Sequence, residues 1–327
     1  MTAMSTRAKL GVVVASTVLL GAVAAGYAAT AAEAPGTPPS AGGEQAVTLT
    51  SGPRLLAITD RHVSTVAATD PGGPRTVAGL ECLRVYAAAG TGVCLKPETA
   101  WSYQVVVLDA TLRQTRAVSV PGLPNRARVS ASGRMVSWTT FVGGDSYTAS
   151  GFSTRTGILD TRTGTTVASL EEFAITRDGR GYRNADVNYW GVTFTADDNR
   201  FYATMATGGE RYLVRGDLAA RTVETLKENV ECPSLSPDGT RLAFKEAVDA
   251  DPAKGWRLSV LDLSSMRVTA TAEVRSVDDQ AAWLDNGKLA YTLRRDDGQP
   301  DVWSVRADGA GTPTLVIPGA ESPSPLT

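Results

Sequence analysis

From residue 46 onward the chain runs in apolar and β-branched stretches of four to eight residues, broken by Gly, Asn and Asp. Apolar residues at helical spacing are missing from that span, so the pattern predicts strands throughout and an all-β fold. The stretch LSPDGTRLAF, Leu235 to Phe244, reads as a strand, a tight turn and a second strand. It is one copy of a recurring unit: RVSASGRMVSW from Arg128, TFTADDNRFYA from Thr193 and AWLDNGKLAYT from Ala282 lie over SLSPDGTRLAF from Ser234. In these turns Gly239 and Gly287 are expected to supply positive φ.

A second element recurs behind the first, a β-rich run ending in Asp, a polar turn and another β-rich run. Its six aspartates are Asp70, Asp109, Asp160, Asp217, Asp262 and Asp308, spaced by 39, 51, 57, 45 and 46 residues. A period in the forties marks the four-stranded blades of a β-propeller, in which each sheet hides its apolar faces against its neighbours. An aspartate opening a turn accepts hydrogen bonds from nearby backbone amides, so these residues are read as fold determinants rather than metal ligands.

LSPDGTRLAF followed by WRLSVLDLSS, with DVWSVRADG near the end, resembles the repeats of the TolB-type six-bladed propeller family. The likeness covers about residues 54 to 327 and is strongest after Thr193. It implies a six-bladed propeller and says less about function, because similar repeats also occur in the propellers of prolyl-oligopeptidase-like enzymes. The chain departs from TolB in reading as a tether, not an α/β domain, ahead of the propeller, so TolB's partners are not carried over.

The first repeat lacks the innermost strand with which the other five begin. The final ESPSPLT, Glu321 to Thr327, resembles ECPSLSP, Glu231 to Pro237, and is expected to supply that strand and close the ring. Cys82 and Cys94, 12 residues apart around a Gly-rich turn, are expected to form a disulfide between the inner strand of blade 2 and the next strand. Cys232 is expected to be a free thiol.

Serine hydrolysis of the kind attached to propellers needs GxSxG and a histidine. GxSxG is absent, and the single histidine, His62, reads as a turn or strand-edge residue. No CxxC or HxxxH spacing suggests a metal, and no cofactor is expected. Two surfaces are candidates for binding. Overlaying the inner strands puts Glu81, Asn125, Trp190, Glu231, Asp279 and Glu321 at one equivalent position, which predicts an acidic channel mouth suited to a basic partner, its carboxylates raised in pKa by mutual repulsion. The two longest intervals read as loops projecting from one face, with Tyr147, Phe152, Tyr182, Arg183 and Asn188 as contact residues.

Charge and the amino terminus bound the setting. Net charge is -2, with no basic field to recommend a nucleic-acid partner. Arg7 and Lys9 precede an uncharged run from Leu10 to Ala32, read as a signal peptide over 1–31. The alternative is an uncleaved anchor, and only then is a membrane involved. Residues 32–53 read as a Pro/Gly-rich disordered linker, and 54–327 as the propeller. The sequence thus reads as an exported, monomeric, non-catalytic propeller binding a protein, peptide or cell-envelope component through one face. The alternatives are a hydrolase or lyase with carboxylates at the channel mouth, and a structural envelope module.

Overall fold

The computed structural model describes residues 46–99, 102–142 and 153–326. The expected signal peptide and residues 32–45 of the expected linker lie outside the described residues. Residues 46–53, assigned from sequence to that linker, pack instead: Val47 and Leu49 are buried in an apolar cluster, and the Leu49 amide bonds the Ala110 carbonyl at 2.8 Å.

The described chain forms six blades around a central channel, antiparallel except for one added strand pairing in the fourth. Five have four strands and the fourth has six. The inner strands, in blade order, are Glu321–Pro325, Arg84–Ala88, Leu123–Val129, Asn188–Phe194, Glu231–Leu235 and Ala282–Asp285. The ring closes as the sequence predicts: Glu321–Pro325 pairs with Arg54–Thr59, setting Pro325 opposite Leu55 and Ser324 opposite Leu56. Without it the inner edge of blade 1 would be unpaired. The two serines of this strand also hold blade 2. Ser322 Oγ donates to the Val85 carbonyl at 2.7 Å and accepts from its amide at 3.1 Å, and Ser324 Oγ bonds both backbone groups of Ala87.

Strand alternation explains how each sheet serves two neighbours. In blade 1, Leu56 and Ile58 belong to the apolar cluster shared with blade 2, while Leu55 and Ala57 belong to the one shared with blade 6. Each of the six seams between blades has such a cluster. A blade has no core of its own, so the ring is the unit that buries apolar surface.

The turns follow from their residues. Asp109 Oδ1 accepts from the amides of Thr111 and Arg113, Asp160 from Arg162 and Thr163, Asp262 from Ser264 and Ser265, Asp217 from Ala220 and Asp308 from Ala310. Hydroxyl and amide donors, Thr111 and Ser264 foremost, hold Asp109 and Asp262 well below the usual carboxylate range. Asp70 departs from the pattern, its carboxylate making no hydrogen bond among the described residues. Gly239 takes the expected positive φ of 71°. Gly287 does not, and its amide instead caps Asp285 Oδ1 at 2.6 Å.

Antiparallel pairing places the Asp turns, and the turns joining each inner strand to the next, on one side of the ring, here called the turn face. The connections between blades lie on the opposite, crossover face.

Candidate functional site

The channel differs at its two ends. Toward the crossover face, side chains reach across it. Arg84 of blade 2 pairs with Asp279 at the entry to blade 6 at 2.9 Å. Arg126 of blade 3 reaches Asp278 at 3.3 Å and the Cys232 sulfur of blade 5 at 3.4 Å. Lys245 of blade 5 contacts Asp278 at 2.5 Å and Glu231 at 3.4 Å. Gln280 Nε2 donates to the carbonyls of Val192 and Pro233. Three cations thus meet three carboxylates, and Arg211 adds a further contact to Glu231 at 3.1 Å.

The acidic mouth expected from the sequence is therefore neutralised from within, and with it goes the case for a basic partner. Burial penalises the charge of Asp279, yet Arg84, Arg126 and hydrogen bonding from Thr292 together outweigh that penalty and lower its pKa, where mutual repulsion would have raised it. Burial likewise opposes the charge of Lys245, but Cys232, Glu231 and Asp278 together raise its pKa. A carboxyl serving as general acid needs the opposite shift.

The six overlaid residues separate in the structure. Glu231, Asp279 and Asn125 belong to the cross-channel network, Asn125 through its backbone carbonyl, which accepts from Arg84 Nε at 3.0 Å, and through its side-chain Oδ1, which accepts from Arg126. Glu321 stands at the start of the closing strand and pairs with Arg294 at 2.8 Å. Trp190 is buried. Lys245 of this network lies against a different ring, Trp256, 4.1 Å from its Nζ and with Nε1 donating to Glu231, a residue the sequence reading missed. Glu81 is not an inner-strand residue. It ends the outer strand of blade 1, half-exposed, against Arg61 at 3.3 Å. His62, which opens the third strand of blade 1, lies 3.7 Å from the same carboxylate and bonds the Asp60 carbonyl.

The Cys82–Cys94 disulfide is present, with Cα atoms 5.5 Å apart, and Cys232 is free and buried. The bridge is not the cross-strand pair expected. Cys94 lies opposite Val85, whereas Cys82 sits in the connection between blades 1 and 2, so the bond staples that connection to blade 2.

The long-loop candidates also disperse. Tyr147 and Phe152 lie outside the described residues. The long interval before blade 4 is a hairpin, not a projecting loop: Ala174–Arg177 and Arg180–Tyr182 extend that blade's outer edge, the first running parallel to Thr222–Glu228. Tyr182 bonds Thr207 at 2.8 Å, Arg183 is exposed, and Asn188 is buried, its Oδ1 accepting from the Thr154 amide of blade 3 at 2.9 Å.

Toward the turn face the channel widens into a hollow of about 500 Å³ that all six blades line. Its lining includes Tyr86, Phe194, Leu235 and Trp283 with Ser130, Thr193, Ser234 and Ser236, and Asp238, Asp285 and Asn286 stand at the rim. Arg128 lines it from below. A second hollow of about 510 Å³, at the seam between blades 1 and 6, is largely apolar and receives no buried polar group lacking a partner.

No family model matches the chain. A TolB homologue of Chlorobium luteolum is 36% identical over 77 residues, a match spanning 24% of this chain and 16% of that relative. TolB from Acinetobacter baumannii superposes with a TM-score of 0.62 at 15% identity, covering 83% of this chain and 66% of that structure. A putative TolB from Agrobacterium tumefaciens gives 0.51 at 11% identity over 83% of this chain and 92% of that one. The closed ring of blades, the Asp-turn repeat and these likenesses agree: the chain is a TolB-like six-bladed β-propeller.

Proposed function

We propose that the chain is an exported, non-catalytic propeller that binds a protein, peptide or cell-envelope component at the open, turn-face mouth of its channel. The observation that carries this reading is the asymmetry of the channel. One end is crossed by ion pairs that satisfy one another, while the other opens as a concave hollow shared by all six blades. Concave, mostly apolar sites with a few convergent polar groups are where ligands bind. Export is supported by the uncharged run after Arg7 and Lys9.

A photo-crosslinking residue at Asn286, on the hollow's rim, tests the reading against one at Asp297, in the blade 6 loop of the crossover face. With the full chain returned to its own extracytoplasmic compartment, discrete adducts are expected from Asn286. Adducts from Asp297 alone would overturn the assignment of the binding face.

A further inference from the structure

The buried cations of the channel are neutralised, with one exception. Arg128 follows Arg126 by two residues on the inner strand of blade 3, so strand alternation sends both side chains into the channel. Arg126 meets Asp278 and Cys232. Arg128 meets no carboxylate among the described residues. Only 4% exposed, it donates from Nη2 to the Ala281 carbonyl at 3.1 Å, and its guanidinium lies 4.2 Å from the centre of the Tyr86 ring. Its Nε is buried and has no hydrogen-bond partner among the described residues. A guanidinium taken out of water without a counter-charge is costly, and a ring face and one carbonyl return only part of what hydration supplied. Arg128 is among the residues that line the turn-face hollow, at its inner end.

We propose that this hollow is a carboxylate-binding site, in which a ligand's carboxylate completes the hydrogen bonding of Arg128 and its apolar body lies against Tyr86, Phe194 and Trp283. This rests on the turn-face mouth being the binding face. The guanidinium fork matches a planar carboxylate. One uncompensated cation suits a monoanion, and the rim carboxylates Asp238 and Asp285 oppose a dianion such as phosphate. A hollow of about 500 Å³ has the size of a small-ligand site. The carboxylate has two possible sources, the carboxy terminus of a peptide or a small organic acid.

Four probes separate these cases on the isotope-labelled full chain: the tripeptide Ala-Ala-Phe as free acid, the same tripeptide as its amide, benzoate, and inorganic phosphate at matched ionic strength. The reporter is the Arg128 Nε–H resonance, which needs no variant. The free-acid tripeptide, benzoate or both are expected to shift it saturably, with the acid bound roughly 10-fold or more tighter than the amide and phosphate weaker than either acid. Saturation by the peptide acid alone identifies a peptide terminus, and saturation by benzoate identifies a small acid. In titration calorimetry, which does not depend on that resonance, Arg128→Lys, which keeps charge but loses the Nε donor, and Arg128→Met should both abolish the difference between acid and amide. Equal affinity for acid and amide, or no saturable shift with either acid, would overturn the proposal. Persistence of Asn286 adducts in Arg128→Met would then leave the binding face standing without its carboxylate.

Discussion

Arg126 and Arg128 sit two residues apart on one strand, both buried, and their surroundings are opposite. Arg126 belongs to a network in which every charge has a partner. Burial works against its ionisation, but Cys232, Asp279 and Asp278 together hold its pKa above the usual value. Arg128 has a ring, a carbonyl and a vacant donor. The closed end of the channel has the chemistry of a structural clamp, and the open end holds a charge whose stabilising partner the fold does not supply. Removing one member of a satisfied buried network strands the others, whereas removing an unpaired charge strands nothing.

The largest effect is expected where both ends fail together. Deleting residues 320–327 removes the inner strand of blade 1, the Ser322 and Ser324 bonds to blade 2 and the buried Leu326. The melting temperature should fall by about 10 °C or more in calorimetry, and an unchanged transition would refute strand closure. Asp279→Ala comes next, because it leaves Arg84 without its carboxylate partner and takes one of two negative charges from beside Arg126. A loss of about 3–5 kcal/mol is expected in denaturant unfolding. The same reasoning reverses the sign suggested by an acidic mouth: amides in place of Glu231 and Asp279 should destabilise the free protein.

Opening the Cys82–Cys94 bridge by a double Cys→Ser change should cost about 2–4 kcal/mol. Cys232 should react with thiol reagents only after unfolding, and modification of the native protein would contradict its burial. The pH dependence is smaller. Asp279 and Asp278 have depressed pKa values in the folded state, so their stabilisation is full above the unfolded carboxylate value of about 3.9 and is lost as pH falls through the folded one. Acid titration of stability should show this loss below about pH 4, reduced in Asp279→Ala; identical acid limbs would count against the pairing. Smallest of all, Arg128→Met should change stability by no more than about 1 kcal/mol. A loss as large as that of Asp279→Ala would erase the contrast between the two ends.

The repeat was legible because its determinants are local. Asp109 and Asp262 bond amides within four residues of themselves, and a turn of that kind is written where it is used. Closure was legible because ESPSPLT repeats ECPSLSP. The channel was not, since Arg84 meets Asp279 and Arg126 meets Cys232 only after the ring has brought distant blades together. Glu81 was misplaced because the Glu-Cys doublet it shares with Glu231 suggested a common register. Pairing decides register, and Ala87 opposite Gly92 corresponds to Leu235 opposite Leu242, which makes Arg84 the counterpart of Cys232. The outer hairpin of blade 4 did carry a signal. Asp178 and Gly179 both have positive φ, and a Asp-Gly pair between β-rich runs is a strong mark of a tight hairpin. Arg128 looked in sequence like any strand arginine, and only the absence of a carboxylate around it sets it apart.

The clasp between Arg54–Thr59 and Glu321–Pro325 also sets a timetable. At a synthesis rate of about 5–20 residues per second, the first blade waits on the order of tens of seconds for its last strand. Until then its edge is available to any passing chain. Such long-range pairing slows folding, because the loop must close before the contact can stabilise it. The nascent chain therefore carries an open β-edge for almost the whole of its synthesis, and a chaperone or a translocation channel that shields strands would act on this protein most strongly in that interval.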